Sequence, residues 1–521
     1  MVQAIIPPSI LPVTPLEPRL IDDGTSVFQP RFARGRAQRQ VWSSPRWGFS
    51  VRFEAMRSHE RAMLKRVLSS IQGRGGTLRW SPGIPLRGSF PGTEVLTNSD
   101  FNNGSTNYTA ARCTAIVADR VMRAVNDKSG GAQSFGVYQA VSSLTQYAPY
   151  AIRGFFAAQS LPSISKVVSN NLVNSSMVNG VGMATLTMVA LSTSDTAYFL
   201  ADILNGTETL ANDFFDLPFV SMARCALVDN APNAVTYSEQ YDNSAWTKTR
   251  STITANAYSA PDGTVTADRL TEDSSATTTH FVDRSLIVSS AAADYSFTVS
   301  LKAGTRGWVF VQMYESIGGT GVGTYFNIGS GSLGTASTGV NWSNQRIFVV
   351  PRGDGWYEIT IVARKTNAAT AINAGVYLAS GDGGVSYTGS GLYARIWRSS
   401  FSQSSLPTRA IQTTTTAVSA TAQTGSSIFV KGLPSSTNGL LLSGDYFEIN
   451  GELKRSTASL NSDAAGRGCI MFEPSISNSP SDNDAVVLMN PMGRFMLANV
   501  RESERFGIYT DFDLELEEVV E

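Results

Sequence analysis

The hydrophobic positions between residues 46 and 80 change their spacing twice. The first run alternates hydrophobic residues with polar or small ones, as in a half-buried strand: Trp47, Phe49, Val51 and Phe53. The second run recurs at helical spacing and forms one apolar stripe: Met63, Leu64, Val67, Leu68 and Ile71. Ser58 is a suitable N-cap, and Gly73 stands where a helix would end. Together with residues 77–80 the pattern predicts strand, helix, strand, a unit too small to bury its own faces.

The chain between residues 93 and 406 is rich in Ser, Thr, Asn and Gly, which predicts many short strands joined by turns. It contains a weak internal repeat of five segment pairs in the same order. The pairs are 115–121 with 264–270, 133–142 with 280–289, 147–158 with 294–304, 182–190 with 355–363, and 222–228 with 393–399. We interpret the repeat as two copies of one β-sandwich module, residues 93–234 and 235–404.

The two ends of the chain look incomplete by themselves. Turn dipeptides at Gly444-Asp445 and Asn450-Gly451 separate short predicted strands. Neither 31–92 nor 405–521 has enough strands for a closed barrel, so we predict that these segments form one split domain. The long insertion costs little, because loop-closure entropy grows only logarithmically with length. Residues 1–30, rich in proline, are predicted to form an extended arm. The arm is either a disordered tail or a segment that docks on a neighbouring subunit.

Composition narrows the functions open to the chain. A net charge of -1 over 521 residues gives no electrostatic case for binding nucleic acid. The sequence shows no apolar run long enough to cross a membrane and no signal peptide, so we predict no membrane insertion. Two histidines and three widely separated cysteines offer no metal-ligand spacing and no disulfide framework. We therefore predict no metal site and no cofactor.

Two groups of carboxylates invite comparison with a glycan hydrolase, which needs two carboxyl groups about 5–10 Å apart across a cleft. The groups are Asp268, Glu272 and Asp273, and then Asp354 and Glu358 near Trp356. Asp268 belongs to a repeated Ala-Asp-Arg, where an Asp–Arg pair would fix a turn. We favour that structural explanation, so the chain is predicted not to be an enzyme and no catalytic residue is assigned.

Carbohydrate binding has more support, because aromatic rings stack on sugars while amide and charged groups bind the hydroxyls. The two faces of a predicted strand are Trp308, Phe310, Gln312 and Tyr314 on one side, and Val309, Val311 and Met313 on the other. If the second face is core, Trp308, Gln312 and Tyr314 are the candidate sugar contacts. The alternative is that Trp308 and Phe310 are themselves core. Three other tryptophans are predicted to be structural: Trp246, Trp356 and Trp397.

Several segments resemble parts of phage tail proteins. The strand at 46–56 followed by "SHERAMLKRVLSSIQGRGGTLRW" (58–80) resembles a group of siphophage tail-tip proteins related to distal tail proteins. The segment "GDYFEINGELKRSTASLNSDAAGRGCIMFEPSI" (444–476) resembles the last part of the same group. Three segments of the second module resemble carbohydrate-binding jelly-roll modules of phage tail proteins: "YSEQYDNSAWTKT" (237–249), "FTVSLKAGTRGWVFVQMYE" (297–315) and "GDGWYEITIVA" (353–363).

The resemblance implies a fold and a set of partners. The implied fold is mainly β, a split β-barrel or sandwich with one short α-helix that carries two inserted jelly-roll domains. The implied function is that of a distal tail protein in the virion tail tip, assembled in the host cytoplasm. It would form a homo-hexameric ring that joins the tail tube protein to hub and tape-measure-associated proteins, with modules that bind host-surface saccharides. Two alternatives stay open, a tail-associated glycan depolymerase and a free carbohydrate-binding protein.

Overall fold

The regular structure of the computed structural model consists of β-strands and, among the residues it describes, one α-helix, so the predicted mainly-β class is confirmed. The described residues are 3–6, 17–21, 26–28, 38–40, 46–56, 58–71, 76–83, 86–92, 94–99, 101, 103–118, 120–127, 134–157, 164–169, 175–179, 182–202, 213–315, 318–418, 423, 425–505 and 509–519. The predicted helix end at Gly73 lies outside them.

The amino-terminal elements are β1 (Gln3–Ile5), β2 (Glu17–Ile21), β3 (Ser26–Phe28), β4 (Gln38–Gln40), β5 (Arg46–Met56), α1 (Ser58–Ser70) and β6 (Thr77–Trp80). β1 runs parallel to β6, and β2 runs antiparallel to β5. Ile5 and Ile6 keep only 2% and 1% of their surface exposed. These described residues do not form a free tail, because pairing within the same chain buries the two isoleucines; docking of the arm on a neighbouring subunit stays a prediction.

The first module begins with β7 (Thr109–Ala111), β8 (Cys113–Ala118), β9 (Val121–Asn126), β10 (Phe135–Ser142), β11 (Pro149–Phe156) and β12 (Ile164–Ser169). It continues with β13 (Ser175–Asn179), β14 (Gly182–Val189), β15 (Ser194–Asp202), β16 (Phe214–Leu217), β17 (Phe219–Arg224) and β18 (Ala226–Val228). One sheet has the order β13-β12-β15-β10-β7, and the opposing layer consists of β14-β11-β17 and β16-β9-β8. Their inward side chains form one core that includes Phe135, Ile152 and Phe199.

The second module begins with β19 (Thr247–Thr249), β20 (Ser251–Tyr258), β21 (Ala267–Glu272), β22 (Thr278–Ile287), β23 (Ala293–Ala303), β24 (Trp308–Glu315) and β25 (Gly321–Asn327). It continues with β26 (Ser332–Thr338), β27 (Trp342–Pro351), β28 (Trp356–Lys365), β29 (Ala371–Ala379), β30 (Ser386–Tyr387) and β31 (Tyr393–Ser402). The sheet β19-β22-β29-β24-β25-β26 packs on the sheet β20-β21-β31-β23-β28-β27. Val299, Val311 and Ile361 lie in the core between them.

The internal repeat corresponds to one strand order used twice. Strands β10-β15-β12-β13 of the first module match β22-β29-β24-β25 of the second, and β17-β11-β14 match β31-β23-β28. In both modules the chain crosses repeatedly between the two layers, which is typical of a jelly roll. It does so at β10, β11 and β12 and again at β13, β14 and β15 in the first module, and at β22, β23 and β24 and again at β28, β29 and β31 in the second. The last four of the five repeated segment pairs fall on strands that are equivalent in this order.

The carboxy-terminal elements are β32 (Gly425–Lys431), β33 (Tyr446–Ile449), β34 (Glu452–Ser456), β35 (Gly468–Ile476), β36 (Ala485–Val487), β37 (Gly493–Arg505) and β38 (Tyr509–Glu518). β32 to β36 close a barrel together with β18. The sequence boundary that assigns residues 93–234 to the first module is therefore wrong at β18. This strand belongs to the barrel because Ala226 and Val228, both fully buried, complete the barrel core.

The two ends of the chain share a six-stranded sheet of order β1-β6-β37-β38-β5-β2. Helix α1 packs on this sheet, and the exposed fraction of Leu64 and Ile71 is 0%. Phe49 of β5 lies 4.9 Å from Trp80 and 5.7 Å from Phe495, measured between ring centroids. Residues from both ends thus build one core.

The core of the six-stranded sheet and the core of the barrel are separate. The region predicted as one split domain therefore contains two hydrophobic cores. Strand β33 lies between them and supplies side chains to each. Tyr446 packs in the sheet core, whereas Phe447 and Ile449 pack in the barrel core. This alternation follows from the period of two along a strand, which points successive side chains to opposite faces.

Two buried ion pairs join the modules to the barrel. Arg153 of β11 donates to Glu448 of β33 at 2.9 Å, and their side chains are 1% and 9% exposed. Arg467, which precedes β35, pairs with Glu358 of β28, and their side chains are 6% and 7% exposed. Each module is therefore fixed to the barrel by charges removed from water.

Candidate functional site

The burial of side chains along β24 shows which face of this strand is exposed to solvent. Val309, Val311 and Met313 have no exposed surface and lie in the core of the second module. Trp308 and Gln312 are half-buried on the outer side of the sheet, and Tyr314 is 36% exposed there. Phe310 is only 9% exposed, but neither it nor Trp308 belongs to the core between the two sheets, which the valines and the methionine fill.

An aromatic row crosses four neighbouring strands on this outer side. Phe281 of β22, Tyr377 of β29, Phe310 of β24 and Tyr325 of β25 are direct partners in the strand register. Successive ring centroids are 4.3 Å, 6.4 Å and 4.6 Å apart. We name this row, together with Trp308, Gln312 and Tyr314, the aromatic face.

Gln312 lies between two glycines on the aromatic face. Its register partners on either side are Gly323 and Gly375. A Cβ at Gly323 would stand 2.6 Å from Phe310 Cζ, so the ring lies over the glycine. The amide of Gln312 is hydrogen-bonded to the side chain of Tyr377, and an amide can both donate and accept hydrogen bonds.

A buried carboxyl group lies beside Gly375. Asp283 is the register partner of Gly375 and is 6% exposed. Burial raises the pKa of Asp283 from 3.8 to about 6, while a hydrogen bond with Asn373 lowers it. Burial, and then the charge of Asp283, raise the pKa of Tyr377 to about 12. The aromatic face therefore combines aromatic rings, which can stack on a sugar ring, with an amide and a carboxyl group, which can bind its hydroxyls.

Replacing Asp283 by asparagine should make stability less dependent on pH. Because folding raises this pKa from 3.8 to about 6, the native state favours the protonated carboxyl. As the pH rises from about 4 to above 6, the free energy of unfolding of the wild type should therefore fall by up to about 3 kcal/mol relative to that of Asp283→Asn. Urea unfolding of both proteins at pH 4 and pH 7 measures this difference. A difference that is the same at both pH values would contradict the prediction.

Residues outside β24 were not identified from the sequence. They are Phe281, Asp283, Tyr325, Asn373 and Tyr377. Alternation on each strand was visible, but the sequence does not state which strands lie side by side or in which register. Those relations decide which aromatic residues meet.

The carboxylates considered for hydrolysis are held by structural partners. Asp268 accepts hydrogen bonds from the backbone N–H groups of Tyr241 and Asn256 at 3.0 Å and 2.8 Å. The expected Asp–Arg pair is therefore wrong for Asp268. Arg269 instead lies over the ring of Tyr393, 4.1 Å from its centroid. Asp119, in the other copy of Ala-Asp-Arg, lies outside the described residues.

The remaining acidic groups also have defined partners. Glu272 binds Arg306 at 2.6 Å and accepts a hydrogen bond from the hydroxyl of Tyr387. Asp354, with 87% of its side chain exposed, binds Lys302 at 2.7 Å. Trp246, Trp356 and Trp397 are 2%, 2% and 6% exposed, which confirms their prediction as structural residues.

The first module carries a smaller aromatic pair on the equivalent strands. Tyr138 of β10 and Tyr198 of β15 are register partners with ring centroids 5.2 Å apart. Val168 of β12 is the next residue in that row, where the second module has Phe310. The two modules thus share a strand order but differ in the aromatic surface they present.

The described residues contain few groups suited to metal binding or thiol chemistry. Cys113, Cys225 and Cys469 are unpaired, and burial is the largest cause of the raised pKa of each thiol. No group of three or more potential metal ligands occurs among the described residues. Their helix is also not long and apolar enough to cross a membrane.

Comparisons with known proteins leave the family open. No protein-family model matches the chain, and no curated protein matches it. A crystal structure of a protein from Parabacteroides distasonis, described as secreted, is 7% identical and covers 63% of this chain and 99% of its own, with a TM-score of 0.12. A likeness this slight carries no argument about fold or function.

Proposed function

We propose that the second module binds saccharides on its aromatic face. The observation that carries this proposal is the row of Phe281, Tyr377, Phe310 and Tyr325, which lies beside Gln312 and its flanking glycines. Aromatic rings cover the apolar face of a pyranose, and nearby amide and carboxyl groups bind its hydroxyls. Trp308 and Tyr314 lie at opposite ends of β24 and extend the face along the strand.

We infer that the whole chain serves as a structural protein of a phage tail tip, in a ring with copies of itself. The support is the resemblance of its two ends to distal tail proteins. The shared sheet of β5, β6, β37 and β38 is compatible with this proposal, since it builds one body from both resembling segments. In a ring, several weak sugar sites would act together, and linked sites can raise avidity by about 10²–10⁴. Sedimentation of the purified full chain tests this part, and a monomer at all concentrations would contradict it.

Trp308→Ala and Tyr314→Ala should each weaken saccharide binding by about two- to tenfold, because each removes an aromatic contact worth about 0.5–1.5 kcal/mol. Electrophoresis through gels that contain soluble glucan, galactan, mannan or bacterial cell-wall polysaccharide measures the retardation of each protein. Ile287→Ala is the matched control, since Ile287 is 93% exposed on β22 but lies outside the aromatic row.

The proposal would fail if the wild type migrates freely in every gel, or if the control loses as much retardation as the two aromatic variants. Phage particles carrying Trp308→Ala should assemble normally and adsorb less, because the residue lies in the inserted module.

A further inference from the structure

A cleft of about 410 Å³ lies where the two modules and the barrel meet. The first module supplies Tyr147 and Arg224, the second supplies Arg346 and Phe348, and the barrel side supplies the loop around Ser435. Its described lining contains two arginines and no carboxylate. A cavity of this size suits a small ligand rather than a polymer. We name it the arginine cleft.

Neither arginine has an ion-pair partner among the described residues. The Nε atoms of Arg224 and Arg346 are both buried without a hydrogen-bond partner. Arg346 donates from Nη2 to the carbonyl of Ser405, and its guanidinium lies 4.1 Å from the centroid of Tyr147. Arg224 lies 5.9 Å from the ring centroid of Phe90. Aromatic faces therefore hold both cations, but they neutralise neither.

Burial lowers the pKa of both arginines. Asp294 raises the pKa of Arg346, but its own ion pair is with Arg364 at 3.0 Å. Both side chains are half-buried, and a cation partly removed from water without a paired anion is destabilised, so two of them lining one cleft favour an anionic ligand. Arginine suits carboxylates in particular, because its planar fork donates two parallel hydrogen bonds.

The backbone at the cleft holds Tyr147 in a defined position. Tyr147 has a φ of 62°, in the left-handed region that a tyrosine rarely adopts. Its N–H is bonded to the carbonyl of Ala190, which keeps the strained residue in place under Arg346. The hydrogen bond therefore fixes the ring over which the guanidinium of Arg346 lies.

We propose that the arginine cleft binds an acidic monosaccharide, with its carboxylate between Arg224 and Arg346. The hydroxyl-bearing residues Thr145 and Ser435 line the same cleft and would bind the sugar hydroxyls. Half-buried Phe348 supplies an apolar wall for the ring. This site is separate from the aromatic face and does not depend on it.

The test is calorimetric titration of the full chain with sodium D-glucuronate at constant ionic strength. D-glucose serves as the uncharged counterpart, and sodium acetate and inorganic phosphate serve as simple anions. Glucuronate should bind, whereas glucose and the simple anions should bind at least about tenfold more weakly. Arg224→Gln and Arg346→Gln should each weaken glucuronate binding by about tenfold or more, since each removes a hydrogen bond between charged groups.

Three outcomes would overturn the proposal. The first is a wild type that does not bind glucuronate, a comparison that needs no variant to fold. The second is glutamine variants that fold, as judged by circular dichroism, and bind as tightly as the wild type. The third is equal binding of phosphate or acetate, which would mean an adventitious ion only. Ile287→Ala, which alters neither the cleft nor the aromatic row, should keep full glucuronate affinity. Arg224→Gln and Arg346→Gln should keep the wild-type retardation in polysaccharide gels, so failure at the aromatic face and failure at the arginine cleft are distinguishable.

Discussion

Replacing Arg153 by methionine should lower the free energy of unfolding by about 3–5 kcal/mol, because it leaves Glu448 buried without its partner. Glu448 also lies 3.6 Å from Arg79 and accepts the N–H of Met492 at 2.9 Å. Those contacts remain in the variant, but they do not replace the hydrogen bond of 2.9 Å from Arg153. The substitution would also free the carbonyls of Met489 and Asn490, which Arg153 binds at 3.0 Å and 3.2 Å.

Hydrogen exchange resolved by peptide is the suitable measurement, since a chain with several cores need not unfold in one step. Protection should fall in β11 and β33 first, because Arg153 and Glu448 lie on these strands. Lys302→Met is the matched control. It breaks the pair with Asp354, whose side chain is 87% exposed, and should cost about 1 kcal/mol or less. If both variants lost the same amount of protection, the prediction that the buried ion pair contributes more stability than the exposed one would be refuted.

Phe495→Ala should destabilise the shared sheet by about 3–5 kcal/mol, the usual effect of removing a buried phenylalanine. Phe495 has no exposed surface, and its ring centroid lies 5.5 Å from Trp80 and 5.7 Å from Phe49. The cavity would open between residues that are more than 400 positions apart in the chain. Both ends should therefore lose stability together.

The distinguishing measurement is hydrogen exchange in two peptides, one from β5 and one from β38. Both should lose protection in Phe495→Ala, while the second module keeps its own. Val500→Ala on the same strand is the control, because Val500 is 38% exposed and should change stability by no more than about 0.5 kcal/mol. If the β5 peptide kept its protection, the two ends would not share one cooperative unit.

The sequence predicts features that depend on local periodicity. The alternation on β24 correctly separates Val309, Val311 and Met313 from Trp308 and Tyr314, because neighbouring side chains on a strand must point to opposite faces. The strand, helix and strand between residues 46 and 80 also follow from spacing alone. Burial of Trp246 and Trp356 follows from their position in a strand-rich module.

Features that depend on distant pairing could not be predicted. To predict that β18 belongs to the barrel, one would have to know that Leu227 pairs with Lys431. The aromatic face likewise depends on the register between Phe310 and Tyr377. The buried pair of Arg153 and Glu448 is separated by 295 positions, and no local pattern marks either residue as a partner of the other. Long-range topology, rather than the side-chain period, decides all three.

The pairing of β18 with β32 has a mechanical consequence. The chain leaves the barrel from the end of β18, forms the second module, and returns at the start of β32. Because these strands are antiparallel neighbours, both points of attachment lie at the same end of the pair. A pull on the module along the strands would therefore load the hydrogen bonds to the outer neighbours, β36 and β35, in shear. Bonds loaded in shear must break together rather than one after another, so the module is attached where the barrel best resists tension.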